Sequence, residues 1–216
     1  AAADVETRIR AEADIVERWS SRQADTSVSV QTDANGIRRV LWPLTRQPRI
    51  SIIIPTTGNP ELVQPCMNSL LEHTDYPDFE IIVLDNGRGK HPDGIDWLKR
   101  HVDRIIECNE PFNWARLNNI GAATASGDML LFLNDDIEVN DPQWLNELVR
   151  QALREDIGTV GARLLYPGGR LQHAGVTLVN YGGGGIHLLH KADPAAPIYR
   201  NLHETQREVS ANTGAC

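Results

Sequence analysis

The stretch Gly127-Asp128-Met129-Leu130-Leu131-Phe132-Leu133-Asn134-Asp135-Asp136 sets five apolar residues directly before an amide and two carboxylates. A run of that kind, without alternation, reads as a β-strand covered on both faces, as in a buried parallel sheet. The polar residues that follow cannot stay in such a core without partners. They are expected at the strand's carboxyl end, where an open α/β sheet receives its ligand. A divalent metal ion with phosphate oxygens would be a suitable partner. Taken alone, the cluster also fits a plain polar turn in which Asn and Asp bond their own backbone.

Upstream, strand and helix patterns alternate. Ile50-Ser51-Ile52-Ile53-Ile54 is a β-branched run closed by Pro55, which cannot donate to a central ladder, and residues 56–59 form a polar turn. Asn59 before Pro60 reads as an N-cap with proline at the first helical position; Leu62, Val63, Cys66, Met67 and Leu70 then mark one helical face to about residue 73. Residues 79–84 form a second apolar strand ending in Asp85-Asn86-Gly87-Arg88. A short helix holding Trp97, Leu98 and residues 101–102 leads to a strand at 104–107, followed by polar residues from 109 to 113. Residues 113–126 read as a helix with Leu117, Ile120, Ala123 and Thr124 inward, ended by Gly127 in a left-handed conformation. Such alternation implies parallel pairing with right-handed crossovers, so four polar strand ends gather on one sheet edge. That convergence favours a ligand site over a plain turn at 134–136.

Past the acidic cluster, Asp141-Pro142 caps a helix facing inward through Leu145, Leu148, Val149 and Ala152. Further strands are expected at 160–166 and 176–179. The glycine-rich residues 181–187 make a loop, either a mobile lid or a linker. At the other end, Val5, Ile9, Val16 and Trp19 recur with a helical period over residues 4–19. Residues 20–47 read as a connector with at most an edge strand at 28–30. The expected division is a helix and connector over 1–48 and an α/β domain over 49–216. The start without Met and the stop at Cys216, with no polar tail, read as a fragment of a longer, multidomain chain.

Composition narrows the function. With 216 residues there is room for one sizeable α/β domain and an appendage. A net charge of -8 supplies no basic footprint for nucleic acid, and it means that an anionic ligand needs help from a cation. Cys66, Cys108 and Cys216 lack metal-type spacing and suit reduced thiols of a cytoplasmic protein. No apolar run approaches the roughly 20 residues that cross a bilayer, so any membrane contact is peripheral.

The sheet edge offers the Thr56 and Thr57 hydroxyls, Asp85, Asn113, Arg116, and Asn134-Asp135-Asp136. Donors, acceptors and a seat for a metal suit a nucleoside diphosphate. A carboxylate after the second strand can accept from a ribose hydroxyl or a base N–H, and one after the fourth can hold a divalent ion against the diphosphate. Neither Gly-x-Gly-x-x-Gly nor a Walker lysine follows the first strand, so phosphate is expected to be held through metal. The same absence disfavours a nucleotidyltransferase.

These pieces, in this order, resemble the family 2 glycosyltransferases of the GT-A fold. The resemblance rests on Ser51-Ile52-Ile53-Ile54-Pro55-Thr56, Ile82-Val83-Leu84-Asp85-Asn86-Gly87, Asn119-Ile120-Gly121, Ala125-Ser126-Gly127-Asp128 and Leu133-Asn134-Asp135-Asp136, and covers roughly residues 49–139. Val160-Gly161-Ala162, Gly169-Arg170-Leu171-Gln172-His173-Ala174-Gly175 and Thr213-Gly214-Ala215-Cys216 are similar to the rhamnosyltransferase-like branch that builds bacterial surface polysaccharides. It implies a Rossmann-like GT-A domain with a mostly parallel central sheet and helices on both faces. It also implies metal-dependent transfer, with inversion, from a UDP- or dTDP-sugar to a carbohydrate or lipid-linked glycan, in the cytoplasm or at the inner face of the plasma membrane. By resemblance Pro55, Thr56, Thr57 and Asp85 contact the nucleoside, Asp135 the ribose side, and Asp136 the Mn2+ or Mg2+ on the diphosphate. Arg116 and Asn119 assist, and Asn113 and Asn134 complete the candidate nucleotide-sugar site.

Two positions depart from the family pattern. The first acid of its Asp-x-Asp motif is the amide Asn134, and the Tyr-Asn frequent after the first strand is Gly58-Asn59. The family's general base is expected beyond Cys216; Asp193, Glu204 and Glu208 match no family motif and read as solvated surface. His173 is the histidine expected near the acceptor side, Trp114 is expected to border the sugar pocket, and Trp144 to lie in the core. A nucleotide-sugar-binding module without its own catalysis is the alternative reading.

Overall fold

In the computed structural model, which describes residues 14–16, 18–19, 21–22, 28–32, 37–179, 184–196, 198 and 201–216, the candidate site stands on a four-stranded parallel sheet. The chain divides into two units, residues 46–149 with 213–216, and residues 1–45 with 150–212.

The first unit contains the sheet. Strands β3 (Ile50–Thr56), β4 (Phe79–Asp85), β5 (Arg104–Glu107) and β6 (Met129–Phe132) lie in the order β5-β4-β3-β6, all parallel. Helices α1 (Pro60–Glu72), α2 (Pro92–Leu98) and α3 (Trp114–Thr124) connect them, and α4 (Trp144–Ala152) follows β6. Because side chains alternate along a strand, the two faces of the sheet separate by parity. Ile53, Ile82 and Leu84 form a buried cluster with Cys108 and with Leu117 of α3, flanked by Ile106, Ile120 and Phe132. Ile54 and Val83 face the other way, lining a crevice with Val63, Cys66 and Met67 of α1 and Leu98 of α2. Helices therefore cover both faces, as expected.

The foot of the sheet is pinned by a buried carboxylate. Glu80 Oε1 accepts from the Ser51 hydroxyl at 2.6 Å, and from the Ser126 N–H and hydroxyl at 2.6 and 2.8 Å. Ser51 Oγ in turn accepts from the Gly127 N–H at 2.9 Å. Burial pushes the Glu80 carboxyl up, but the hydrogen bonds from Ser51 and Ser126 and the charge of Arg49 outweigh it and bring it down to about 2.

Several expectations need correction. β6 is an edge strand of this sheet, and Leu130 is 46% exposed, so the apolar run is not covered on both faces. Gly127 does not have a positive φ. It is small because a Cβ there would come within 2.7 Å of the Ser51 backbone nitrogen. α2 starts at Pro92 and stops at Leu98, leaving residues 101–102 in the turn that follows. α3 is shorter than expected, with Asn113 as its N-cap and Ala125 as its C-cap. Trp144 is half-buried, and its Nε1 donates to the Thr74 hydroxyl at 3.0 Å.

The second unit holds short antiparallel pairs. β1 (Ser29–Thr32) pairs with β2 (Arg38–Leu41), so the connector contains a hairpin. Within 160–166 only β7 (Leu164–Leu165) is a strand, and it pairs with β8 (Leu171–His173) around a turn in which Gly169 has φ 78°. A short apolar run does not distinguish a hairpin arm from a buried parallel strand. β9 (Val176–Leu178) pairs with β10 (Gly185–His187), so the last residues of the expected glycine loop are a strand. Residues 181–183 lie outside the described residues, as does most of the helix expected over 4–19; residues 14–16 and 18–19 are helical.

Candidate functional site

All four strands are parallel, so their carboxyl ends share one edge. The chain runs from β3 outward to β4 and β5, then returns to the other side of β3 with β6. Ligands of open α/β sheets bind where the strand order reverses in this way, here between β3 and β6.

Thr56 and Asp135 meet at that point. The Thr56 hydroxyl donates to Asp135 Oδ2 at 2.5 Å and accepts from the Gly58 N–H at 2.9 Å. Burial, and after it the Asp136 charge, push the Asp135 carboxyl up, while the Thr56 bond pulls it down; the net shift is upward. Asp136 is exposed, and no hydrogen bond or ion pair among the described residues engages its carboxylate. The adjacent acids thus differ: Asp135 is clasped to β3 and Asp136 is open to solvent.

Asp85 ends β4 in register with Thr56, and its Oδ1 accepts from the Gly87 N–H at 2.8 Å. The Asn86 N–H donates to the Thr56 carbonyl at 2.8 Å, which ties the turn after β4 to β3. Pro55 is buried opposite Leu84, and Thr57 is half-buried. Pro55, Thr56, Thr57, Asp85 and Asp135 are thus brought to one place.

The α3 residues fare differently. The Asn113 side chain accepts from the Arg116 N–H at 3.0 Å and so caps the helix. The Arg116 guanidinium is held by both carboxylate oxygens of Glu110. Asn119 is exposed on the helix, whereas its neighbour Asn118 is buried with Nδ2 on the Trp114 carbonyl at 2.9 Å.

Some contacts escaped the sequence reading. Trp114 Nε1 faces Asn134 Oδ1 at 3.4 Å, the Asn134 N–H donates to the Ala215 carbonyl at 3.0 Å, and the Cys66 thiol donates to the Asn134 carbonyl at 3.7 Å. Burial, and after it the Asp135 charge, push that thiol up to about 12, so it stays a protonated donor. Asn86 Nδ2 donates to the Cys108 and Glu110 carbonyls at 2.5 and 2.8 Å, fixing the loop that precedes α3. Only the polarity of Asn86 signalled this in the sequence. In the other unit, His173 is 1% exposed, with its Nδ1 3.2 Å from the Nδ1 of His187. Burial, and then His187, push its imidazole down.

Among the described residues no group of three His, Cys, Asp or Glu side chains is gathered to hold a metal unaided. Hard divalent cations can be bound by one or two carboxylates together with substrate phosphates, and the open carboxylate of Asp136 is a group of that kind.

Comparison with known proteins gives consistent results. Residues 51–205 match the family described as Glycosyl transferase family 2. The O-antigen biosynthesis protein RfbC of Myxococcus xanthus is 39% identical over 219 residues, covering 99% of this chain and 17% of that protein. The uncharacterized protein y4gI of Sinorhizobium fredii is 39% identical over 188 residues, covering 82% of this chain and 20% of that protein. The chain thus spans a fifth or less of the length of these two relatives. Among solved structures, the mannosyltransferase PcManGT of Pyrobaculum calidifontis, in complex with GDP-Man and Mn2+, superposes with a TM-score of 0.52 at 18% identity. The superposition covers 77% of this chain and 46% of that one, a likeness of fold.

Proposed function

The chain belongs to glycosyl transferase family 2, and we propose that it holds the nucleotide-sugar donor of a metal-dependent, inverting sugar transfer. The acceptor we infer is a carbohydrate or lipid-linked glycan, in the building of bacterial surface polysaccharide. The relative named for O-antigen biosynthesis supports that setting. The transferase portion is taken to run over 49–216.

One observation carries the reading. At the reversal of strand order, Thr56 clasps Asp135 while Asp136 beside it stays exposed and uncommitted. A clasped acid suits neutral hydroxyl groups, and an open one suits a cation. Accordingly Pro55, Thr56, Thr57 and Asp85 are assigned to the nucleoside, Asp135 to the ribose side, Asp136 to Mn2+ or Mg2+, and Asn134 to the nucleotide-sugar site as a whole. The ion would offset the charge that develops on a diphosphate leaving group. A net charge of -8, with protein cations outnumbered, supports such an offset. The neighbouring fold described with GDP-Man and Mn2+ holds a ligand of this class; a UDP- or dTDP-sugar is the donor proposed here. Arg116 and Asn119 take assisting roles, and Asn113 acts through the α3 cap. Arg116 can reach a phosphate only by leaving Glu110, an exchange between exposed partners that costs little.

Asp85→Ala tests the nucleoside half of the site. Calorimetric titration with UDP and dTDP should show weaker binding, by about three- to thirtyfold, both with and without Mn2+. Unchanged affinity would remove Asp85 from the site.

A further inference from the structure

Asn134 stands where the family resemblance puts an acid, and its surroundings fix which way the amide faces. Its backbone is held on both sides, by the Ala215 carbonyl at 3.0 Å and the Cys66 thiol at 3.7 Å. Its Oδ1 lies 3.4 Å from the indole Nε1 of Trp114. An indole N–H is a donor only, so the carboxamide must turn its oxygen towards the ring and its Nδ2 away. No partner among the described residues meets Nδ2.

Trp114 has little room to let go. Its ring lies edge-on to Phe132, with centroids 5.9 Å apart at 66°. Gly214 packs against its six-membered ring so closely that a Cβ there would come within 2.7 Å of Cζ2. The indole is therefore wedged between the edge strand and the 213–216 segment, with its N–H aimed at the first position of the acidic motif.

We propose that Trp114 is a positioning residue of the donor site, holding the Asn134 carboxamide so that Nδ2 donates to an oxygen of the bound nucleotide-sugar. This rests on the nucleotide-sugar reading above. An aspartate at position 134 could only accept, so it would seek a ligand hydroxyl. The fixed amide instead matches oxygens without protons: a base carbonyl, a ring oxygen or a phosphate oxygen. Ligand hydroxyls are left to Asp135. An amide also avoids a third negative charge next to Asp135 and Asp136, which would repel the diphosphate.

The test is a double-mutant cycle on the full chain with UDP and Mn2+ as the probe. Trp114→Phe keeps a ring against Phe132 and Gly214 and loses only the N–H. Trp114→Phe and Asn134→Ala should each weaken UDP binding about three- to tenfold, and the double variant should be no weaker than Asn134→Ala alone. Independently of ligand, Asn134→Ala should move the Trp114 indole N–H resonance in a 1H–15N spectrum. Full affinity in Trp114→Phe, additive losses in the double variant, or an unmoved indole resonance would each overturn the positioning role and leave the donor site standing. A wild-type chain that binds no nucleotide with Mn2+, despite a shifted indole resonance, would overturn the transferase reading and with it the ligand contact of Asn134.

Discussion

Glu80 shows how much one side chain can decide in this chain. It is 3% exposed, and its partners come from residues 51 and 126, on the segments that begin β3 and lead into β6. In the unfolded chain a glutamate titrates near 4.3. Here the carboxyl is brought down from 4.5 to about 2. Between those values the unfolded chain binds more protons than the folded one, so stability falls as pH falls through this window. The contribution is fully present above the unfolded value, and a shift of this size is worth about 3 kcal/mol. Urea midpoints measured from pH 6 to about 2 should therefore drop for the wild type, and Glu80→Gln should lose most of this dependence. An identical slope in both proteins would show that Glu80 is not the titrating group. None of this was legible in residues 79–84, which read as an apolar strand. A buried charge is explained only by partners far away in sequence. Asp135 and Asp136 were legible as a pair, but their division into a clasped acid and an open one depends on Thr56, 79 residues away.

At the scale of elements, α3 is the informative case. Asn113 and Arg116 are expected as ligands because they are polar residues near a strand end, and Asn119 by resemblance to the family. Asn113 turns out to accept from the Arg116 N–H, which satisfies one of the otherwise orphaned donors of the first turn. Asn113→Ala should thus destabilise the protein by about 0.5–2 kcal/mol, whereas Asn113→Asp or Asn113→Ser should retain most of the stability. Thermal denaturation of the three variants distinguishes them, and equal loss in all three would deny the cap. The central elements were legible because long β-branched runs and amphipathic helices give unambiguous periods; β3, β4 and α1 stand close to where the sequence puts them. Residues 160–187 were not, since strands of two or three residues leave no period to read. The edge position of β6 was also hidden. Met129, Leu130, Leu131 and Phe132 are all apolar, yet Leu130 on this edge strand is 46% exposed.

For the whole molecule, strand order and charge bear together on the proposed anionic ligand. Reversal of strand order between β3 and β6 brings Thr56, Asp85 and Asp135 to one sheet edge. Under the proposed function a diphosphate there would come with a cation, and Asp136 is the exposed carboxylate proposed to hold it. Among the described residues no helix is long and apolar enough to cross a membrane. The family assignment and the parallel sheet agree with what the order of motifs implied, because motif order constrains topology even where individual motifs are short.

Asp136 is where these arguments meet, and calorimetric titration of UDP, dTDP and GDP into wild type and Asp136→Ala, with and without Mn2+, tests them most directly. Wild type should bind at least one of the nucleotides about tenfold or more tightly with Mn2+ than without, and Asp136→Ala should lose that gain while keeping the metal-free affinity. Affinity that ignores metal in wild type, or a gain from Mn2+ that survives in Asp136→Ala, would contradict the account.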